Sequence, residues 1–467
     1  MAPKIQTPLL ATTDLEALEF AARRAMAYLN AVRSRPVAPS PLAVHDLEQL
    51  GGALPPSGSD PRTVIELLDR VGSPATVANA GGRFFGFVNG ASVPASVAAT
   101  WMVSAWDQNC NLRVMSPATA AFEDIALAWV KELLGLPAEC GGGLVTGGTV
   151  ANFAGLAAAR HALLQSAGWD VENQGLFGAP PLNVVVGDEV HASVIKALGL
   201  LGLGRTRLTR VPVDGQGRMR PDRLPVLDER TIVCVQAGNV NTGAFDPASE
   251  IIPAAHAAGA WVHVDGAFGL WAAASPRQRH LMKGFEYADS WSTDAHKWPN
   301  VGYDCGIALV RDARALRSVM AISAPYIPPS ALREPSQYTP EMSRRARGVE
   351  LWAALRSLGR EGIAALLDRT CAHAQRFAAG LREAGFEILN EVVINQVLVS
   401  FGSAEITRTV IERIQQDGTC WCGPTEWQHR TAMRISVSSW ATTSEDVETS
   451  LAAMLRIARE VKRMLSD

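Results

Sequence analysis

The chain has 467 residues, 48 % of them apolar and 19 % charged, with a net charge of −3; that length can bury large cores and is expected to divide into two or more domains. The near-neutral balance, without a dense Lys/Arg run or a basic amphipathic stretch, argues against nucleic-acid and membrane partners and leaves small molecules. With no signal-peptide core and no apolar window of spanning length the expected location is cytoplasmic, and the seven scattered cysteines read as reduced thiols, in neither a disulfide framework nor paired zinc spacing, so no metal is expected.

In chain order, "LEALEFAARRAMAYLNAVR" repeats apolar residues at helical spacing behind Thr13 or Asp14 as cap and stops before Pro36. A Pro/Gly/Ser-rich connector follows. From about residue 80, "FFGFVNGAS" and a Trp-rich helix lead into "SPATAAFEDIALAWVKELLGL", a second capped amphipathic helix. The short runs "PLNVVVG", "RLTRVPV", "TIVCVQA", "AWVHVDG" and "CGIALV" are rich in valine and mostly separated by helical or turn segments, as suits a mostly parallel sheet buried on both faces. "PYIPPSALREPSQYTPEMSRR" reads as a proline-rich loop; beyond it come one or two long helices, then "FEILN", "NQVLVSFG" and "AMRISVSS" alternating with further helices. The expected organisation is an α/β chain with an N-terminal helical segment (1–80), a large domain (81–345) and a small C-terminal α+β domain (346–467).

Four motifs carry the chemistry. "GGGLVTGGTVANFAGLAAAR" is a glycine-rich turn with Thr146 and Thr149 opening a helix, whose N–H groups and positive dipole end can hold a phosphate. It lacks the Lys-Ser/Thr of a P-loop and the spacing of a dinucleotide fingerprint. "VVVGDEVHASVIKALG" runs a strand into a helix start at His191, where open α/β sheets place ligands. In "AWVHVDGAFGLWA", Asp265 ends an apolar strand; a carboxylate there is either a turn former or the partner of something cationic, since burying it unpaired is costly. In "DSWSTDAHKWPNVGYDCG", Lys297 lies among Trp291, Trp298 and a following apolar strand. Desolvation there disfavours the ammonium and suits an amine nucleophile. A phosphate cradle, a carboxylate for a pyridinium nitrogen and a Schiff-base lysine together are what pyridoxal phosphate requires.

From "GRFFGFVNGAS" through "TGGTVANF", "GDEVHASVIKA", "HVDGAFG" and "DAHKW" to "RRARGVELWAALRSLG", the sequence resembles the group II pyridoxal-phosphate-dependent amino-acid decarboxylases. The resemblance covers roughly residues 80–360, with a weaker match beyond. It implies a fold-type I, aspartate-aminotransferase-like architecture and a homodimer with shared active sites, the N-terminal segment packing on the partner. By the same resemblance Lys297 forms the Schiff base and Asp265 pairs with the pyridine nitrogen. His191 stacks on one ring face and Ala267 supports the other. Gly148, Thr149 and His296 bind the phosphate, and Asn239 or Thr242, in "QAGNVNTGAFD", contacts the ring oxygen or the substrate.

In such relatives a loop tyrosine protonates Cα after carbon dioxide leaves. Of five tyrosines, Tyr326 and Tyr338 lie in the proline-rich loop, and Tyr338 precedes "SRRARGVELW" much as the family tyrosine does, so it is preferred. Asn109 and Asn111 stand at expected substrate-wall positions and suggest a more polar pocket, while Arg113 reads as a salt-bridge residue. Asp294 replaces the asparagine many relatives carry before the lysine. The expected reaction is decarboxylation of an L-amino acid to its amine; the alternatives are oxidative decarboxylation and deamination to an aldehyde, or aldolase-type carbon–carbon cleavage.

Overall fold

The computed structural model describes residues 12–325 and 330–464; Tyr326, the second loop tyrosine, falls outside them. Seven strands form one sheet: β1 (Gly141–Val145), β2 (Asn183–Gly187), β3 (Thr209–Val211), β4 (Thr231–Gln236), β5 (Trp261–Asp265), β6 (Ser290–Asp294) and β7 (Gly306–Val310). Their order is β1-β7-β6-β5-β4-β2-β3, and β7 runs antiparallel to both neighbours while the remaining pairs are parallel. Val184 to Val186, Ile232 to Val235 and Ile307 to Val310 are buried, so these strands read as continuous apolar runs because both faces are covered.

Two strands escape that pattern. β1 reads as a turn because of its glycines, yet they are what lets it lie flat among its neighbours: a methyl group built on Gly142 would stand 2.7 Å from the Ala308 carbonyl, and one on Gly143 2.8 Å from the Tyr338 carbonyl. β6, "SWSTD", is polar in sequence and fully buried in the sheet, its hydroxyls taken up by neighbouring polar side chains.

The smaller sheet, in the order β10-β11-β9-β8, is antiparallel throughout: β8 (Glu387–Ile388), β9 (Gln396–Ser400), β10 (Gly423–Trp427) and β11 (Arg430–Ser436). The long helical run Arg347–Glu383 breaks at Gly359, whose φ of 62° a side chain resists, so it is two helices in series. It packs on the helices Pro94–Trp106 and Pro117–Leu134.

The small sheet is tied to the front of the large domain. Phe85 N donates to the Trp421 carbonyl at 2.8 Å, and Trp421 N to the Arg83 carbonyl at 3.1 Å. The Trp421 ring stacks on Phe84 and Phe87, at 5.0 and 5.5 Å between centroids. A second tie is Asn300: its Nδ2 donates to the Lys297 and Ser438 carbonyls, and its Oδ1 accepts from Trp440 N at 2.6 Å.

Candidate active site

Ligands of open α/β sheets bind beyond the carboxyl ends of the strands, and there the chain opens a cavity of about 470 Å³ lined by Gly148, Thr149, His191, Ala267, His296 and Lys297, with Phe87, Asn89, Ser193, Asp294 and Tyr303. Six of the residues expected from sequence thus meet in one place. Asp265 ends β5, one strand from Lys297, and is buried with Oδ1 accepting from Ala267 N at 3.3 Å.

The glycine turn joins β1 to the helix Gly148–Ser166, with Gly147 at φ 147°. The first turn of a helix leaves its N–H groups without intrahelical acceptors, so those of Gly148 and Thr149 are available to an anion. His296 completes this end: its Nδ1 accepts from Cys305 N at 3.3 Å, so the neutral ring carries its proton on Nε2. Burial holds His296 below the usual histidine range although Asp294 opposes this.

His191 is fixed by a buried relay. Its Nδ1 accepts from Ser193 N at 3.2 Å and from Ser193 Oγ at 2.7 Å, which leaves the ring proton on Nε2. Ser193 Oγ accepts in turn from Asn152 Nδ2 at 3.0 Å, and Asn152 Oδ1 accepts from His263 Nε2 at 2.9 Å. His263 Nδ1 takes Ser290 Oγ at 2.8 Å, and Ser290 Oγ accepts Trp261 Nε1 at 2.9 Å. Five side chains behind the sheet therefore set one imidazole, each of them hydrogen-bonded to the next. Burial lowers the His191 pKa; Asp265 opposes that, and Lys297 and Arg434 reinforce it. A neutral imidazole can lie against an aromatic ring without bringing a charge to it.

Lys297 is not simply desolvated. Its side chain is 18 % exposed and its Nζ lies 2.9 Å from Asp294 Oδ2, so a carboxylate answers the amine, and Phe268 lies 5.9 Å away beneath it. Close approach also shapes the wall opposite: a methyl group on Gly90 would collide with the Lys297 carbonyl. Just before it, Phe87 and Val88 take φ of 53° and 60°, a left-handed geometry that costs bulky residues of order 1–3 kcal/mol each and turns Phe87 and Asn89 toward the cavity.

Three expected residues are elsewhere. Tyr338 does not reach the cavity of its own chain: it is 8 % exposed, packed in the core near Val145 and Leu316. Arg333 lies 4.7 Å over its ring, beside Gly141 at the far end of β1 from the glycine turn. Asn239 is spent on its own turn, its Oδ1 accepting from Asn241 N and Thr242 N at 2.8 and 3.2 Å and its Nδ2 donating to Gln236 at 3.1 Å. Thr242 Oγ1 donates to the Gln216 carbonyl at 2.7 Å. Asn109 likewise holds Arg344 N at 3.1 Å, and Arg113 pairs with Asp124.

Two residues not singled out in the sequence belong to the site. Tyr303 lines the cavity with its ring 4.4 Å from that of His296. Burial, with Asp294 adding to it, pushes its phenol up to about 12. Arg434, on β11, donates to the Val240 carbonyl at 3.1 Å; no carboxylate pairs with it among the described residues, and burial lowers its pKa. Its charge acts on the His191 ring, and in sequence it is signalled only by an arginine inside an apolar strand.

A glycine turn for phosphate, a strand-end carboxylate and a lysine amine around one cavity define an enzyme site for a phosphorylated aldehyde cofactor with a basic ring. Residues 63–402 match the pyridoxal-dependent decarboxylase conserved domain, and the chain belongs to that family. It is an amino-acid decarboxylase whose cofactor is pyridoxal 5'-phosphate. It is 31 % identical to an aromatic-L-amino-acid decarboxylase of Drosophila lebanonensis over 72 % of this chain and 88 % of that one. Identity to an aromatic-L-amino-acid decarboxylase of Bacillus atrophaeus is 24 %, over 93 % of each chain. The structure of Oryza sativa TDC with PLP and tryptamine shares the fold-type I architecture, with a TM-score of 0.89 at 24 % identity, covering 98 % of this chain and 99 % of that one.

Proposed function

We propose that the chain removes carbon dioxide from an L-amino acid to leave the amine, with Lys297, Asp265, His191 and Tyr303 as the working side chains. The observation that carries this is one cavity lined by Lys297, His191 and the glycine turn, with Asp265 ending β5 beside it and bonded to the lining Ala267. Bound pyridoxal phosphate supplies the electron sink for the pair left at Cα when carbon dioxide departs. Asp265 would hold the ring nitrogen in its cationic form, which deepens that sink. Gly148, Thr149 and His296 Nε2–H would hold the phosphate, and His191 and Ala267 would hold the ring. Lys297 Nζ would attach the cofactor and Arg434 would orient the substrate carboxylate.

Cα must then receive a proton. Tyr303 is the tyrosine that lines the cavity among the described residues, and its high pKa keeps the proton on Oη until a stronger base, such as a carbanion, takes it. Because Tyr303 as a whole residue is 54 % exposed, although its hydroxyl end is buried enough to raise its pKa, and Tyr338 lies in the core, a second reading is that oxygen reaches the site before the proton. One amino acid, one oxygen and one water then give aldehyde, carbon dioxide, ammonia and hydrogen peroxide.

Exposed Trp101, Met102 and Trp106 on the helix Pro94–Trp106, with Val114 and Met115 beyond it, support a homodimer, since exposed large apolar side chains close in the chain can mark an interface. The deciding experiment supplies the loaded protein with a pool of L-amino acids in air, with products identified by mass spectrometry beside a peroxide assay. Amine without peroxide supports the first reading, aldehyde with peroxide the second, and an untouched pool overturns both.

A further inference from the structure

Asp294 ends β6 with its carboxylate inside the cavity, its side chain 3 % exposed. Oδ2 takes Lys297 Nζ at 2.9 Å and stands 3.8 Å from His296 Nε2, while Oδ1 is buried without a hydrogen-bond partner. The glycine turn faces both oxygens: a methyl group built on Gly148 would lie 3.0 Å from Oδ2, and one on Gly147 3.7 Å from Oδ1. A carboxylate is thus lodged against the glycine turn that would receive the phosphate. Two anions in so dry a space repel far more than they do in water. Leaving a buried oxygen unpaired carries its own cost, and a neutral asparagine would fill the same volume without the charge repulsion.

We propose that Asp294 governs cofactor loading: in the free protein it holds the Lys297 amine across the glycine turn, and the phosphate must displace that pair to bind. The carboxylate weakens capture of the phosphate end and makes the cofactor exchangeable, while the ring and amine contacts are left as they are. Displacement also frees the Lys297 amine when an aldehyde arrives beside it, so the same carboxylate keeps the lysine occupied until there is something to attack. The inference rests on the glycine turn being the phosphate site.

The test uses two probes that lack an aldehyde and so form no bond with Lys297: pyridoxine 5'-phosphate and pyridoxine. Their dissociation constants are measured by calorimetry on the full chain, for the wild type and Asp294→Asn. Removing one partly screened charge should tighten pyridoxine 5'-phosphate by about tenfold or more and leave pyridoxine within about twofold. In a Lys297→Ala background, where nothing neutralises Asp294, the gain from Asp294→Asn should be larger still. If Asp294→Asn does not fold, Asp294→Ser removes the same charge at smaller volume and makes the same comparison. An unchanged or weaker affinity for the phosphate ester, or an equal gain for both probes, overturns the role of Asp294. Failure of every form to prefer the phosphate ester over pyridoxine overturns the phosphate site itself, and the proposal with it.

Discussion

Tyr303 Oη donates to Asn89 Oδ1 at 2.6 Å, joining the loop that follows Lys297 to the segment that carries Phe87 into the cavity. The phenol's proton is therefore directed, and its acceptor is an amide that cannot keep it. Tyr303→Phe removes the proton and leaves the ring against His296. Amine formation should fall about a hundredfold, the low end of what a positioned acid contributes, with aldehyde and peroxide rising in its place. An unchanged amine-to-aldehyde ratio, read by mass spectrometry in air, would eliminate Tyr303 as the donor.

Lys297→Ala should abolish turnover without unfolding the chain, because the Lys297 side chain lines the cavity and its ion pair there is with Asp294, another lining residue. The variant should still bind pyridoxal phosphate non-covalently. Borohydride reduction followed by intact mass should add the cofactor to the wild type and nothing to Lys297→Ala; a cofactor adduct on the variant would place the Schiff base on another amine.

His263 is pushed by burial from 6.5 down to about 3, and His191, His296 and His373 are lowered in the same direction. Below the unfolded value the unfolded chain binds a proton that the folded chain refuses, so stability is full above about pH 6.5 and is lost as the pH falls. Urea titrations between about pH 5 and 6.5 should give a slope for the wild type steeper than for His263→Gln by up to ~1.4 kcal/mol per pH unit. Parallel slopes would mean that His263 is charged in the folded state.

Glu123 anchors a buried ionic cluster: Arg333 Nη2 lies 2.8 Å from Oε1, and Arg344 pairs with Oε2. Burial alone would raise its carboxyl pKa, but Arg344 and Arg333 outweigh it and hold the group below its ordinary value. Glu123→Gln leaves the buried Arg344 guanidinium without its counter-charge, while Arg333 keeps Asp124 at 2.9 Å, and should cost about 3–5 kcal/mol of unfolding free energy. A loss below about 1 kcal/mol, the range of a solvated pair, would show that the cluster is screened.

The parts of this fold that declared themselves in sequence are those where local pattern and tertiary burial agree. Valine runs such as Asn183–Gly187 and Thr231–Gln236 are strands, and Asp265 stands where one such run, Trp261–Asp265, ends. What stayed hidden depends on neighbours remote in the chain. β1 looks like a turn because its glycines answer to the close approach of Ala308 and Tyr338. Asn152 and His263 are 111 residues apart, and nothing local says that one sets the other. Tyr338 and Tyr303 were separable only by packing: the loop tyrosine is anchored under Arg333, and the one beside the lysine faces the cavity.

The ties made by Trp421 and Asn300 change what the small domain is for. One grips the wall that presents Phe87 and Asn89; the other grips the turn that presents Lys297. It is a bracket on the two jaws of the cavity, not a lid above them. Losing the C-terminal sheet would unclamp the amine from the wall it faces, so a chain shortened there would be disarmed with every residue of its cofactor cradle still in place.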